Sequence, residues 1–413
     1  MKTILNSIVL SCLLTALAPA QPPRYIFSDL GTLPGGRFSQ AAVLQNTGLV
    51  TGVATTPVGA LHAVVWQGGR IFDLAANGGL GGLNSLAFGI NPSGHAAGQA
   101  ESAAADPNNE NFCVYGTGLR CLPFLWQNGA MTQLSLLPGA INGTAGPINV
   151  NGEIAGIVET ARRDSNPATT CPPGVRPNGV GTQLFDFEAV VWGPDPAQMR
   201  ELYPLAADTV SEALWINDNG QVVGVSGICA NTLTPGPAGG PHVVLWEKDG
   251  SIHELANFDG TIRPDLFAIV NGAFEINNGG QITGVLVLPD KSDGSPSNTI
   301  HAVLWNNARA TPTDLGTLSD DDNSAGLSIN AQGDVVGLSM HGSPGTVLPR
   351  PFLWHNGVMT DLNDLIPPDS PMNLVFGAGI NDLDEIIGWG FHKGTGQIHG
   401  FLLIPGSGRA AGN

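Results

Sequence analysis

The sequence predicts an all-β fold, a seven-bladed β-propeller with four strands in each blade. Three observations predict it. One pattern recurs seven times. Each of the first six copies holds four short β-type runs, and the seventh lacks its fourth run, which stands near the N-terminus instead. Repeats of this kind close into rings of four-stranded blades.

The first two runs of each copy, strands a and b, flank an Asn-x-x-Gly turn. The pattern is clearest in Ser211–Gly224 (SEALWINDNGQVVG), Ser324–Gly337 and Ser85–Gly98. Glycine supplies the positive φ that such a turn needs, and the last copy has Asp384 there, a residue type that tolerates left-handed geometry. Weaker copies centre on Gln45-Asn46, Ile148-Asn149, Ile276-Asn277 and Ile380-Asn381.

The last two runs, strands c and d, read H-A-V-L-W and T-D-L in the clearest copies. Strand c ends at Trp66, Trp126, Trp192, Trp246, Trp305, Trp354 and Leu403, and strand d at Leu74, Leu134, Leu202, Leu255, Leu315 and Leu362. The seventh d strand is Ser28-Asp29-Leu30, near the N-terminus. It can complete the last blade and close the ring, which removes the open edges of a linear array. An open solenoid gives no reason for this offset.

The composition agrees with a large β domain. Charged residues make up 12% of the chain, against about a quarter in most proteins. The 57 glycines and 31 prolines suit a chain that often reverses direction. The net charge of −18 argues against nucleic acid and anionic membrane surfaces as partners. We expect a monomer.

Residues 1–20 are predicted to be a secretory signal peptide. Met1-Lys2 gives a positive start, Ile4–Leu17 is mostly apolar, and Ala18-Pro19-Ala20 fits a cleavage site. The alternative, a membrane anchor, needs about 20 apolar residues. We therefore expect a secreted, extracellular protein without a membrane span: 1–20 signal peptide, 21–406 a single propeller, and 407–413 a short flexible tail.

The four remaining cysteines predict disulfides, as is typical of exported chains. Cys113 and Cys121 close a short loop and pair most economically, which leaves Cys171 for Cys229. The sequence alone permits three pairings.

The repeat elements resemble those of the extracellular HAF-repeat family. The resemblance rests on H-A-V-L-W, I-N-x-x-G-x-V-V-G and the D-L-G-T-L segments Asp29–Leu33 and Asp314–Leu318, and covers essentially the whole mature chain. It implies an exported β-repeat protein and carries over no catalytic motif. Three copies depart from the H-A-F triplet: Leu122-Pro123-Phe124, Glu188-Ala189-Val190 and Arg350-Pro351-Phe352.

Long insertions are predicted between strands b and c of blades 2 to 5, so they should cluster on one face. They are Gln99–Cys121, Ile157–Phe187, Val225–Pro241 and Val285–Ile300. All four mature cysteines lie in them. Long loops on a rigid scaffold are where binding usually occurs, although solvated decoration is the alternative.

Two recurrent residue types are interpreted as structural. The histidines that begin strand c (His62, His242, His301 and His399) occupy equivalent positions in different blades, so they cannot converge on one metal ion. We expect each to bond a neighbouring backbone group. The tryptophans that end strand c should pack between blades.

Candidate site residues lie outside the repeat. Arg162, Arg163 and Asp164 could meet an acidic sugar, and Tyr115 and Phe185 could stack on sugar rings. Solvated loops and packing within the insertions are the alternatives. Asp106, Asn108 and Glu110 have the i, i+2, i+4 spacing that can wrap Ca²⁺, but lack the later Gly and Glu of an EF-hand. Calcium is the one candidate cofactor, and none is expected to be required.

These observations favour an extracellular binding protein for a glycan or a cell-surface partner. The alternatives are a polysaccharide-degrading lyase or hydrolase that uses the same face, and a structural surface or matrix protein. The sequence contains no G-x-S-x-G, P-loop or H-E-x-x-H motif. An aromatic patch would favour the binder, and convergent carboxylates the enzyme.

Overall fold

The computed structural model describes residues 24–163, 183–229, 241–258, 271–289, 292, 297, 299–342 and 347–406. It confirms the seven-bladed β-propeller: seven antiparallel sheets, each of four strands. Within the described ranges, no helix has the length and apolar character needed to span a membrane.

The strands follow the predicted order a-b-c-d in each of the first six blades. After β1 (Tyr25–Asp29), blade 1 holds β2 (Ser39–Leu44), β3 (Val50–Thr55), β4 (Leu61–Gln67) and β5 (Arg70–Asp73). Blade 2 holds β6 (Gly81–Ile90), β7 (Ala96–Ala105), β8 (Leu119–Gln127) and β9 (Ala130–Gln133). Blade 3 holds β10 (Gly143–Ile148), β11 (Ile154–Glu159), β12 (Phe187–Trp192) and β13 (Met199–Leu202). Blade 4 holds β14 (Val210–Ile216), β15 (Val222–Gly227), β16 (His242–Trp246) and β17 (Ile252–Glu254).

The last blades complete the ring. Blade 5 holds β18 (Gly272–Ile276), β19 (Ile282–Val287), β20 (Ile300–Trp305) and β21 (Thr313–Asp314). Blade 6 holds β22 (Asn323–Ile329), β23 (Val335–Met340), β24 (Arg350–His355) and β25 (Val358–Asp361), and a 3-10 turn follows at Leu362–Asp364. Blade 7 holds β26 (Met372–Ile380), β27 (Ile386–His392) and β28 (Ile398–Pro405). Its fourth strand is β1, paired antiparallel with β28 from Tyr25↔Pro405 to Asp29↔Phe401, so the predicted closure is confirmed.

Tryptophans at the end of strand c seal the interfaces between blades, as predicted. Trp192, Trp246 and Trp305 are fully buried. Each donates its indole N–H, at 2.7–2.9 Å, to a backbone carbonyl just after strand d of the preceding blade. A buried polar group needs a hydrogen-bond partner. The indole ring therefore fills the interface, and its N–H bond fixes how the two blades are placed against each other.

Asparagines that open a–b turns link neighbouring blades. The side-chain amide of Asn149 donates to the Asn217 carbonyl at 3.0 Å, and that of Asn217 to the Asn277 carbonyl at 3.1 Å. Asn381 of the last blade donates to the Gln45 carbonyl of the first at 3.3 Å. The recurrence of Asn therefore reflects contacts between blades as well as the turn.

The histidines of strand c bond carboxylates, so the prediction of backbone partners was wrong. The Nδ1 atoms of His62 and His301 each lie 2.8 Å from a carboxylate oxygen of Asp73 or Asp314, the Asp of the same blade's strand d. Across the ring closure, His399 bonds Asp29 at 2.9 Å. In a hairpin, c and d side chains on one face lie within reach of each other, so the His and the T-D-L Asp meet.

The strand order places the b–c connections on one face of the ring and requires two corrections to their prediction. The β7–β8 hairpin runs further than predicted, so the loop of blade 2 is 106–118 rather than the whole of Gln99–Cys121. The prediction that every long connection joins b to c was also wrong, because residues 255–271 join strand d of blade 4 to strand a of blade 5. That connection leaves from the same face as the b–c loops. We call this the insertion face.

Candidate binding site

The ring encloses a cavity of about 970 Å³ on its axis. Strand a of every blade contributes to the wall, because strand a is the innermost strand of each sheet. Side chains alternate along a strand, so in A-x-x-I-N the Ala and Ile are buried between blades and an intervening residue faces the axis. These axial residues include half-buried Phe88, Leu214, Phe274 and Leu327. The wall is therefore largely apolar.

Blade 7 adds the broadest aromatic surface of this wall. Phe376 of β26 and Trp389 of β27 are register partners, and their rings stack 5.2 Å apart at an angle of 11°. Both line the cavity and both are half-buried. A stacked pair in this position offers a flat, rigid face to a ligand.

Trp215 lines the cavity near the end of strand a that lies away from the insertion face, and we call this part of the cavity the floor. Its side chain packs against a cluster of blades 1 and 2, which contains Val43 and Ile90, and also against a cluster of blades 4 and 5, which contains Val223 and Ile276. Blades 1 and 2 are not neighbours of blade 4, so a side chain of blade 4 that touches their cluster extends into the central cavity. Among the described residues that line the cavity, none belongs to an a–b turn.

The loop of blade 2 leans over the opposite end of the cavity. Cys113 and Cys121 form the predicted disulfide, and Phe112 and Tyr115 pack against it while lining the cavity. Gln99 of β7 anchors the loop by donating from Nε2 to the Cys113 carbonyl at 3.1 Å. The mouth of the cavity therefore opens on the insertion face, beneath a stapled loop.

The polar groups of the cavity are few and bear no positive charge. Gln40, Thr144 and Glu212 lie near the start of strand a, towards the mouth, and Glu275 lies deeper, beside the floor. Glu275 accepts hydrogen bonds from the Ser328 hydroxyl and from a backbone N–H of blade 6, yet its burial raises its pKa to about 8. Of the described residues in the lining, none is Lys, Arg or His.

A buried polar cluster fixes the blade 2 loop to blade 3. Glu110 accepts the Leu184 N–H at 2.6 Å on Oε1, while its Oε2 is buried without a donor. Glu159 of β11 accepts from Asn142 and Gln183 at 3.0 Å. Burial, followed by the neighbouring Glu159 carboxylate, raises the pKa of Glu110 to about 8. At neutral pH Glu110 therefore holds a proton that can be donated to Glu159.

The three predicted calcium ligands belong to this cluster, and apart from Oε2 of Glu110 their side-chain oxygens face protein donors. Asp106 accepts the Asn108 N–H at 2.7 Å and the Asn142 side-chain amide at 2.6 Å. The Asn108 side-chain oxygen faces the Arg163 guanidinium at 3.4 Å. In the ranges described by the structure, no group of three or more His, Cys, Asp or Glu side chains could hold a metal ion. Calcium binding by Asp106, Asn108 and Glu110 stays a prediction.

Both insertion arginines contact protein groups. Arg162 pairs with Glu188 at 2.5 Å and with Asp186 at 3.8 Å, and its side chain remains 58% exposed. Arg163 lies over the Phe185 ring, with its guanidinium carbon 4.8 Å from the centroid. Asp164 lies outside the described residues. The structure thus brings Arg163 and Phe185 together at the junction of the two loops, and a ligand role for these residues stays a prediction.

The second predicted disulfide is tested only in part. Cys229 is disulfide-bonded and packs with Ile157, Phe187 and Val210 of blades 3 and 4. Cys171, the predicted partner, lies outside the described residues.

Sequence reasoning missed the residues that shape the cavity, chiefly Trp215, Phe274 and Glu275. They occupy the variable positions of A-x-x-I-N, which the comparison of repeats sets aside as departures from the pattern. The sequence did contain a signal for the cavity. At the variable positions of A-x-x-I-N, three blades carry large aromatic or acidic residues and other blades carry small ones.

The chain is similar to known propeller structures only at low identity. No protein-family model and no curated protein matches it, so the resemblance to the HAF-repeat family stays a prediction. It is similar to the β-propeller domain of the Trilobed protease from Pyrococcus furiosus (11% identity, 91% of this chain and 95% of that chain covered, TM-score 0.48). It is also similar to the polysaccharide lyase Uly1 (9% identity, 95% of this chain and 94% of that chain covered, TM-score 0.47). A third similar structure is Trypanosoma rangeli sialidase in complex with sialic acid (11% identity, 92% of this chain and 58% of that chain covered, TM-score 0.37). At these values no functional argument rests on the similarity.

Proposed function

We propose that this protein is a secreted binding protein whose ligand, a glycan, enters the axial cavity from the insertion face. The observation that carries the proposal is the aromatic-walled cavity of about 970 Å³ that opens beneath the stapled loop of blade 2. Ligand sites are concave and mostly apolar, with a few polar groups that fix orientation, and this cavity has that composition.

A sugar ring suits this wall because it has an apolar face and an edge of hydroxyl groups. The stacked Phe376 and Trp389 rings and the half-buried Phe88 supply flat apolar surface. The Gln40 amide and the Thr144 hydroxyl supply neutral donors and acceptors near the mouth. Tyr115, predicted as a ligand residue, lies at this mouth.

The test combines retention on immobilised laminarin, starch and chitin with mass spectrometry of any soluble products. Phe88→Ala should weaken binding about three- to tenfold, the worth of one aromatic contact. Phe72→Ala is the matched control, because Phe72 is 46% exposed on β5, outside the cavity. Equal retention of both variants would place the glycan elsewhere, and no retention of the wild type would refute glycan binding.

A second candidate, cleavage of the bound glycan, is favoured by the two carboxyl groups that line the same cavity. Glycosidases pair a protonated acid with a carboxylate, and Glu275, with its pKa raised to about 8, is a proton-holding group beside the axis. Cleavage predicts new oligosaccharides with the wild type and none with Glu275→Gln. Intact polymers with both proteins would leave the binding function alone.

A further inference from the structure

We infer that the cavity accepts the end of a neutral glycan chain and excludes internal segments of the polymer. This inference deepens the proposed function and rests on it. It adds which part of a glycan is recognised and what charge that part bears.

The first step is the closed floor. An internal segment needs a groove with two exits, whereas this cavity is surrounded by strand a of all seven blades. Trp215 extends into its far end and contacts the cluster of blades 1 and 2, which are not neighbours of its own blade. In this proposal Trp215 is the barrier at which a chain that enters from the insertion face stops.

The second step is the size of the enclosed space. A volume of about 970 Å³ is that of a site for a small molecule and suits a few sugar rings rather than a long polymer. The axial aromatic rings, from Tyr115 at the mouth to Phe274 above the floor, lie along one path of entry. Successive terminal sugars can stack along this path.

The third step is charge. The ionisable groups that the structure describes in the lining are Glu212, Glu275 and Tyr115, with no cation among them. The whole chain carries a net charge of −18. Beside the described lining residues, a uronic acid or another anionic sugar would lose hydration without gaining a cationic partner, which favours a neutral ligand end.

The experiment compares chain ends with chain mass. Intact laminarin and the same laminarin after partial endo-glucanase digestion are titrated calorimetrically into the mature protein, and soluble starch is compared before and after partial digestion with α-amylase. End recognition predicts a stoichiometry of about one protein per chain end for both samples, so that digestion raises the binding capacity per unit mass in proportion to the new ends. Polygalacturonate and its digest should not bind.

Two variants sharpen the result. Trp215→Ala removes the floor, so binding should lose its dependence on chain ends. Phe88→Ala should weaken the affinity, but binding should still depend on chain ends. If Trp215→Ala does not fold, as judged by thermal melting, the wild-type comparison still decides. An unchanged capacity per unit mass after digestion would overturn end recognition but leave glycan binding standing. Polygalacturonate bound as tightly as laminarin would overturn neutrality, and no binding by any neutral glycan would refute the proposed function itself.

Discussion

At the scale of single residues, protonation of Glu110 determines how stably the blade 2 loop is held against blade 3. Its carboxyl group is buried beside Glu159 and Asp106, and its Oε1 accepts a backbone N–H of the blade 3 loop. Arg163, which is exposed, contacts Asn108 of this loop rather than Glu110. Only the protonated form of Glu110 can lie beside Glu159 without charge repulsion.

This arrangement predicts that stability falls as the pH rises. In the unfolded chain Glu110 titrates near 4.5, whereas in the folded chain its pKa is about 8. Between these two pH values the folded chain therefore keeps a proton on Glu110 that the unfolded chain has lost. The stabilising free energy from this proton is on the order of a few kcal/mol. It is fully present below about pH 4.5 and is lost as the pH rises through about 8. Urea unfolding at about pH 5 and about pH 8.5 should show this loss in the wild type.

Glu110→Gln should reduce the loss, because an amide donates to Glu159 at every pH. The pKa of Glu275 is also raised, so part of the fall in stability with pH should remain in this variant. Glu254→Gln, on the exposed side of β17, is the control and should keep the wild-type slope. Hydrogen exchange in residues 106–118 should rise with pH beyond its intrinsic rate in the wild type and less in Glu110→Gln. Identical slopes in all three proteins would show that Glu110 is ionised in the fold.

At the scale of elements, the residues of strand a explain what the sequence could predict. Its Ala and Ile recur because they are buried between blades, so the fold, the number of blades and the closure were all visible as repetition. The axial positions carry Phe88, Trp215 and Glu275 in different blades, and a site made of such differences becomes visible only once the ring brings them together. The Glu110–Glu159 contact, between the loop of blade 2 and strand β11 of blade 3, is hidden for the same reason.

At the scale of the whole molecule, the ring depends on one short strand. β1 supplies the outer strand of blade 7, and its neighbours anchor it at both ends: Tyr25 donates its N–H to the Leu365 carbonyl at 2.9 Å, and Asp29 pairs with His399. Among the described residues, no disulfide secures β1. Hydrogen bonds and the burial of Tyr25, which is 3% exposed, hold it in place.

Removal of residues 24–30 from the mature chain should therefore open the edge of β28 and promote self-association. The backbone groups of β28 that face β1 would lose their partners, and an unprotected strand edge readily pairs with a second chain. Size-exclusion chromatography with light scattering should show a monomer for the full mature chain and dimers or larger species for the truncated one. A synthetic peptide of residues 24–31 should bind the free edge and restore the monomer, while deletion of 407–413 serves as the control and should leave it unchanged. A truncated chain that stays monomeric, melts at the wild-type temperature and does not bind the peptide would show that β1 is dispensable. The ring would then be held by the other contacts between blades 7 and 1, which include the hydrogen bond of Asn381 and the packing of Ile387 against blade 1.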